Sequence, residues 1–502
     1  MALAVTRARA ALGVSAPEVR VEVHIAPGLP SFSMVGLPRA EVREARDRVR
    51  SAIENSALTF PVGRVTVNLA PADLPKDGGR FDLAIAVGIL AASGQAGGDP
   101  GGVELLGELT LGGELRPVGG ALPAALAARD AGRSLLLPAG DAEEAALVDG
   151  VRLGSATGLE AVLDHLAGRA ALPPPASPSA DDAPPGPDLA DVRGQAQARR
   201  ALEVAAAGGL HLLLTGPPGT GKSMLARRLP GLLPPLPEAE ALEAAAVRSV
   251  SGEGVDPAAW RRPAFRMPHH GTSAAALVGG GQPPRPGEVS LAHRGVLFLD
   301  ELPELPRNAL EAMREPLQER AITIARTRAR VTYPAAFQLV AAMNPCPCGY
   351  FGDPDGECRC TPDQVARYRS RVSGPLLDRL DVAAEVPRLT PRELASAEPA
   401  EASARVRERV AEAQARARQR SGCLVGELDG GALQGACGTS AGADRVLEQA
   451  TEQLRLSPRG HARVLRVARA IADLAGRETI ETEHMAEAIA YRRGVDAVPG
   501  PG

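Results

Sequence analysis

"GPPGTGKS", residues 216–223, decides the fold. It fits G-x-x-x-x-G-K-S and follows "HLLLTG" (211–216), an apolar run that reads as a buried strand leading into a glycine-rich turn and a helix. In that setting backbone N–H groups close around phosphate oxygens, and the helix N-terminus adds a favourable dipole. Lys222 is expected to reach the β and γ phosphates, and Ser223 to ligate magnesium. The chain contains two lysines, Lys76 and Lys222. Lys222 is therefore retained where a compact ammonium fits and a guanidinium does not. Gly216, Pro217, Pro218, Gly219, Thr220, Gly221, Lys222 and Ser223 form the expected ATP site.

Two further runs extend the pattern. "GVLFLDEL" (295–302) is an all-apolar strand ending in Asp300 and Glu301. Asp300 is expected to hold magnesium and Glu301 to polarise the attacking water. Paired carboxylates there could also cap the next helix, but the phosphate loop upstream favours chemistry. "FQLVAAMNP" (337–345) is a third strand with Asn344 at its tip, where an amide can orient hydrolytic water. Continuous apolar runs of this kind suit a parallel sheet covered on both faces, an α/β fold. From about residue 391 amphipathic helices replace strands.

"NPCPCGYFGDPDGECRC" (344–360) holds four of the six cysteines: Cys346, Cys348, Cys358 and Cys360. A disulfide staple, a redox pair, a metal site or unligated thiols could explain them. Four thiolates at paired spacing suit tetrahedral zinc, and the turn-rich segment between them could close a knuckle. Cys423 and Cys437 are isolated and not expected as ligands. His269 and His270 are adjacent, which suits a loop role near a pore better than a shared metal.

Composition bounds the rest. The 502 residues allow two or three domains, and 44% apolar with 23% charged residues is ordinary for a globular protein. Aromatics make up 2%, so Ala, Val and Leu must build the cores. No apolar run approaches the roughly 18 residues of a membrane span. The N-terminus, broken by Arg7 and Arg9, lacks a signal-peptide pattern. A cytoplasmic location follows as the expectation, and six cysteines in so long a chain then argue against a disulfide framework. The net charge of −4 means that nucleic-acid contact must come from local basic patches. The Pro-, Ser- and Asp-rich stretch 171–187 reads as a linker. Expected units are an α/β domain (1–170), the linker (171–187), the ATPase core (188–390) and a helical lid (391–502).

The order of phosphate loop, Asp300–Glu301 and Asn344 resembles AAA+ ATPases, in which the Asn344 position is called sensor 1. "SGPLLDRLD" (373–381) then offers Arg379 as a finger reaching a neighbouring subunit, which implies a ring. A surface ion pair with Asp378 or Asp381 is the alternative. In "SPRGHARVLRVARA" (457–470), Arg459 falls where sensor 2 would be, with Arg463 competing. With "MPHHGTSAAALVGGGQPPRPGEVSLAHRGVLFLDEL" (267–302), "NPCPCG" and "YRSRVSGPLLDRLD", the chain is similar to the ComM/YifB family of magnesium-chelatase-like proteins. That resemblance covers nearly the whole chain. It implies a hexameric DNA helicase that promotes branch migration, with single-stranded or branched DNA as partner.

The N-terminal third also resembles the proteolytic domain of Lon, which uses a Ser–Lys dyad. Here Arg80 stands at the serine position and Leu122 at the lysine position, so a protease-like fold without protease chemistry is expected. "AITIARTRARVTYPAAFQL" (321–339) resembles the β-hairpin that precedes sensor 1 in this branch and projects toward the pore. Arg326, Arg328 and Arg330 recur at period two, so one extended strand would present them together to DNA phosphates. A charged, merely soluble strand is the alternative. Rival functions are a magnesium-chelatase ATPase subunit acting on a porphyrin-binding partner, an ATP-dependent protease, and a nucleotide-gated scaffold.

Overall fold

The computed structural model describes residues 2–36, 40–76, 78–176, 186–326, 329–353, 356–390, 392–393 and 400–496. Residues 177–185 of the expected linker lie outside the described residues.

The N-terminal unit starts with β1 (Ala2–Arg9), β2 (Glu18–Ala26), β3 (Ser31–Val35), α1 (Ala40–Asn55) and β4 (Arg64–Ala70), its strands ordered β1-β2-β4-β3. Valines of "EVRVEVHI" alternate with polar residues, so one face of β2 is buried and the other is not. That inner face packs on α2 (Asp82–Ala92), which is apolar almost all round and nearly wholly buried. Gly88 allows the close approach: a Cβ there would stand 2.7 Å from Val23 Cγ2. A second, parallel sheet contains β5 (Val103–Leu105), β6 (Ser134–Pro138) and β7 (Leu153–Ala156), with α3 (Ala121–Asp130) between β5 and β6.

The second unit is a five-stranded parallel sheet. Its strands are β8 (Leu212–Thr215), β9 (Phe265–Arg266), β10 (Val296–Leu299), β13 (Gln338–Met343) and β14 (Val382–Glu385), in the order β9-β10-β13-β8-β14. The antiparallel hairpin β11 (Ala321–Arg326) and β12 (Ala329–Pro334) stands outside that sheet. Side chains alternate between two cores. Leu212, Leu214, Val340 and Ala342 meet the C-terminal helices Ser403–Ser421, Pro458–Leu474 and Thr482–Asp496 on one face. Leu213, Leu297, Leu299, Leu339 and Ala341 meet Ile322, Ile324, Val331 and Tyr333 of the hairpin on the other. Lid and hairpin therefore occupy opposite faces of the sheet that carries the phosphate loop.

The hairpin revises one expectation. Register pairs Arg326 with Ala329 and Ala325 with Arg330, so Arg326 and Arg330 belong to two antiparallel strands and not to one. Arg328 lies outside the described residues, and Arg330 is exposed.

The two units are also less separate than the linker suggests. Helix Glu238–Ser251 of the ATPase unit presents Ala241, Leu242 and Ala245 to Leu122, Ala125, Leu135 and Leu137, and Trp260 joins the same core. Ser249 Oγ donates to Glu144 Oε1, and Gly120 N donates to Ser249 O at 3.3 Å. Calorimetry should accordingly show both units unfolding in one transition. Ala245→Asp, which buries an unpaired carboxylate, should lower the unfolding free energy by roughly 3–5 kcal/mol. An N-terminal transition that Ala245→Asp leaves unmoved would contradict the shared core.

Candidate nucleotide site

The loop leaves β8 at Gly216, where a Cβ would lie 2.2 Å from Val386 O at the end of β14. Only glycine lets the chain pass there. Gly219 and Gly221 take φ of 77° and 96°, the left-handed region that glycine enters without strain. Lys222 then opens a short helix (Lys222–Ala226) and is buried. Its Nζ donates to Gly216 O at 2.7 Å, Pro217 O at 2.8 Å and Asn344 Oδ1 at 3.0 Å. Burial lowers the pKa of this ammonium, opposed by the negative charges of Asp300 and Glu301. Thr220 Oγ1 closes the loop on Pro217 O at 3.0 Å.

Ser223 Oγ donates to Asp300 Oδ2 at 2.6 Å. A hydroxyl and a carboxylate this close, both oxygen donors beside a phosphate loop, suit a magnesium ion that completes its shell with water and phosphate. Glu301 follows at φ 49°, and its N–H donates to Asp300 Oδ1 at 2.9 Å. A non-glycine residue in that region is strained, which is common where a side chain must be aimed. The Glu301 carboxylate is about half exposed, and its Oε2 lies 3.3 Å from His270 Nδ1. The "HH" pair was legible as a motif, but its tie to Glu301 depends on β9 lying beside β10, which local sequence does not state. Asn344 extends from the end of β13, and Gly216 N donates to Met343 O at 3.3 Å. Lys222, Ser223, Asp300, Glu301 and Asn344 thus converge at the carboxyl ends of three neighbouring parallel strands, the usual binding edge of such sheets.

The four cysteines also converge. Sγ separations are 3.3 Å for Cys346–Cys348, 3.8 Å for Cys346–Cys358 and 3.7 Å for Cys348–Cys358, and all four sulfurs lie within 4.8 Å of one another. A tetrahedron with metal–sulfur bonds of about 2.3 Å has edges of about 3.8 Å, so the donors fit zinc. All six cysteines are free thiols, and Cys423 and Cys437 stand apart from the cluster.

Arg379, Arg459 and Arg463 gather elsewhere. They line a cavity of about 600 Å³, with Arg320 and Arg466, to which the phosphate loop, Asp300, Glu301 and Asn344 contribute nothing. Arg379 Nη2 donates to Gln318 Oε1 at 3.0 Å, and its Nη1 donates to Pro375 O at 2.8 Å. Asp378 sits instead 3.7 Å from Arg463, and Asp381 3.9 Å from Arg466. Burial pushes the Arg463 guanidinium down to about 10. Burial, then Arg314 and Arg459, lowers the pKa of Arg379.

At the protease-like positions, Arg80 is buried with Nη2 donating to Gly119 O at 2.9 Å, and Leu122 is a core residue. The Lys76 ammonium donates to Gly36 O at 2.9 Å, Leu74 O at 3.2 Å and Pro71 O. The two charged side chains are thus held by backbone carbonyls, and Leu122 by the core.

Three family descriptions match the chain. "Magnesium chelatase, subunit ChlI" matches residues 188–394, "Subunit ChlI of Mg-chelatase" residues 21–141, and "Magnesium chelatase, subunit ChlI C-terminal" residues 400–492. The chain is 48% identical to the uncharacterized protein YifB of Salmonella typhimurium over 98% of this chain and 97% of that one. Its identity to the YifB protein of Escherichia coli is 49%, again over 98% and 97%. The competence protein ComM of Haemophilus influenzae is 46% identical over 98% of both chains.

Lys222→Ala should weaken magnesium–ATP binding by roughly 100-fold or more in calorimetric titration, since charge-assisted hydrogen bonds contribute about 1.5–3 kcal/mol each. Lys222→Arg should not restore it. Undiminished binding by Lys222→Ala would remove the triphosphate from this loop.

Proposed function

The chain belongs to the magnesium-chelatase-related AAA+ family that includes YifB and ComM, and on that premise we propose that it is a ring-forming, ATP-driven motor that remodels DNA. The observation that carries the ATP half is the convergence of Lys222, Ser223, Asp300, Glu301 and Asn344 on one sheet edge. On this reading, Lys222 and the loop N–H groups hold the β and γ phosphates. Glu301, exposed to solvent and steadied by His270, takes a proton from the attacking water, and Asn344 orients that water. Magnesium held by Ser223 and Asp300 would spread the developing charge.

The DNA half rests on the hairpin. It lies on the face opposite the lid, is rich in arginine, and belongs to a chain whose relative carries the name competence protein. Arginines there can grip phosphates without reading bases, as a motor indifferent to sequence needs. A hexameric ring is supported by the position of Arg379, Arg459 and Arg463 away from their own phosphate loop. There they could serve the nucleotide of the next copy. The four cysteines hold zinc on this account, in a cytoplasm reducing enough to keep them free.

The family description also favours a second reading, a chelatase motor that drives metal insertion through a porphyrin-binding partner. Purified protein separates the two. DNA-stimulated ATP hydrolysis and strand displacement on forked and three-stranded DNA support the first. Stimulation by a chelatase partner, with no response to DNA, supports the second.

Glu301→Gln should keep ATP affinity and lose about 10²- to 10⁴-fold in turnover, the usual contribution of a general base. Arg379→Ala should bind ATP and fail to turn it over, and mixing the two variants should restore part of the activity at mixed interfaces. Normal hydrolysis by an Arg379→Ala monomer would end the ring reading.

Replacing Arg326, Arg328 and Arg330 together by alanine should weaken DNA binding and make its salt dependence shallower, with a slope reduced by about 0.7–0.9 for each phosphate no longer neutralised. Basal hydrolysis should persist. An unchanged salt slope on forked DNA would take DNA off the hairpin.

A further inference from the structure

We infer that the four-cysteine knuckle and the phosphate loop are energetically coupled, so that zinc occupancy sets nucleotide affinity and bound nucleotide retains the zinc. The inference rests on the zinc reading given above and goes beyond it, because that reading assigns the metal only a structural role.

The two sites share one short segment. Met343 O accepts from Gly216 N at 3.3 Å. The next residue, Asn344, accepts from the Lys222 ammonium at 3.0 Å. Two residues further on is Cys346, buried and central to the sulfur cluster. Gly349 then returns to the loop. Its N–H donates to Cys346 O at 3.0 Å and lies 3.2 Å from Cys346 Sγ. Its φ is 87°, and a Cβ at this position would stand 2.5 Å from Cδ of Pro218, a member of the phosphate loop. The first pair of cysteines therefore belongs to a turn whose glycine lies against the phosphate loop.

The knuckle is also braced from behind. Arg369 Nε donates to Pro345 O at 3.1 Å, and the Arg369 guanidinium lies 5.4 Å from the Phe351 ring centre. The Arg388 guanidinium lies 5.5 Å from the Tyr350 ring centre. Residue 388 follows shortly after Val386, whose carbonyl blocks any side chain at Gly216. The first half of the knuckle is thus tied to walls of the nucleotide site, at Asn344 and at Gly349. A metal that joins Cys346 and Cys348 to Cys358 and Cys360 fixes the turn bearing Gly349. It thereby holds the wall against which Pro218 rests. Binding linkage is reciprocal, so any factor by which zinc tightens nucleotide is the factor by which nucleotide tightens zinc.

The test uses full-length protein in reducing buffer, loaded with one zinc per chain or stripped with a chelator. A fluorescent ATP analogue reports nucleotide Kd, and a chromogenic chelator reports the rate of zinc release. Zinc removal should weaken the analogue by about tenfold, within the 5- to 150-fold range of allosteric coupling. Saturating analogue with magnesium should slow zinc release by a similar factor. Gly349→Ala tests the contact with all four cysteines kept in place. It should bind one zinc, bind the analogue about tenfold more weakly, and lose the effect of nucleotide on zinc release. Zinc that binds one per chain with equal analogue Kd in loaded, stripped and Gly349→Ala protein overturns the coupling alone. Failure to bind zinc at all removes the zinc reading, and the coupling with it.

Discussion

A buried ammonium is the constraint on which the rest depends. Lys222 is largely removed from water and must find acceptors there, because an unpaired buried charge costs several kcal/mol. It finds three: the carbonyls of Gly216 and Pro217 and the Asn344 amide. The third comes from a different strand, so β8 and β13 must be neighbours in register. They are, with Leu214 beside Ala342 and Thr215 beside Met343. On its other side β8 pairs with β14, whose end bounds Gly216. β10 lies beyond β13 and brings Asp300 to Ser223. One lysine's need for oxygen partners and the geometry of the chemical site are the same requirement.

The sheet that meets this requirement is apolar on both faces, and each face recruits a different element. Even and odd residues of the same short strands separate the lid from the hairpin. A change at the carboxyl ends of the strands can therefore be felt on both sides of a rigid, close-packed layer. The hairpin is further bounded by the N-terminal unit. The turn between β1 and β2 reaches it, for a Cβ on Gly13 would stand 2.4 Å from Val331 Cγ1. The N-terminal unit touches both helix Glu238–Ser251 and the middle of the hairpin, so it braces the ATPase unit at two points.

Much of this was legible in the sequence where the signal is local. The phosphate loop, the Asp300–Glu301 pair and Asn344 each announce themselves by a strand followed by a polar residue, and they meet in space. The paired cysteines announced a cluster, and their sulfurs come together. What was not legible depends on contacts between distant segments. The alanines of helix Glu238–Ser251 say that a face is buried but not that the N-terminal unit buries it. Period two in 326–330 fits one strand as well as the ends of two, and the six-residue match of Ala321–Arg326 to Ala329–Pro334 places Arg326 and Arg330 on different strands. Nothing in "SPRGHARVLRVARA" states that Arg459 and Arg463 join Arg379 around one cavity, since the two segments are far apart along the chain. His270 and Gly349 lie within motifs visible in the sequence, yet their partners, Glu301 and Pro218, are set by strand neighbours and a turn.

The central claim is that one sheet edge holds ATP while a neighbouring copy completes the site and the hairpin grips DNA. The most direct measurement is an electron cryomicroscopy structure of Glu301→Gln protein with ATP, magnesium and forked DNA. The account predicts a closed ring with the triphosphate at Lys222 and magnesium between Ser223 and Asp300. Arg379 of one subunit should point at the γ phosphate bound by the next, and a DNA strand should run past the hairpins. A monomer with ATP bound, or a ring whose DNA lies away from residues 321–334, would contradict it.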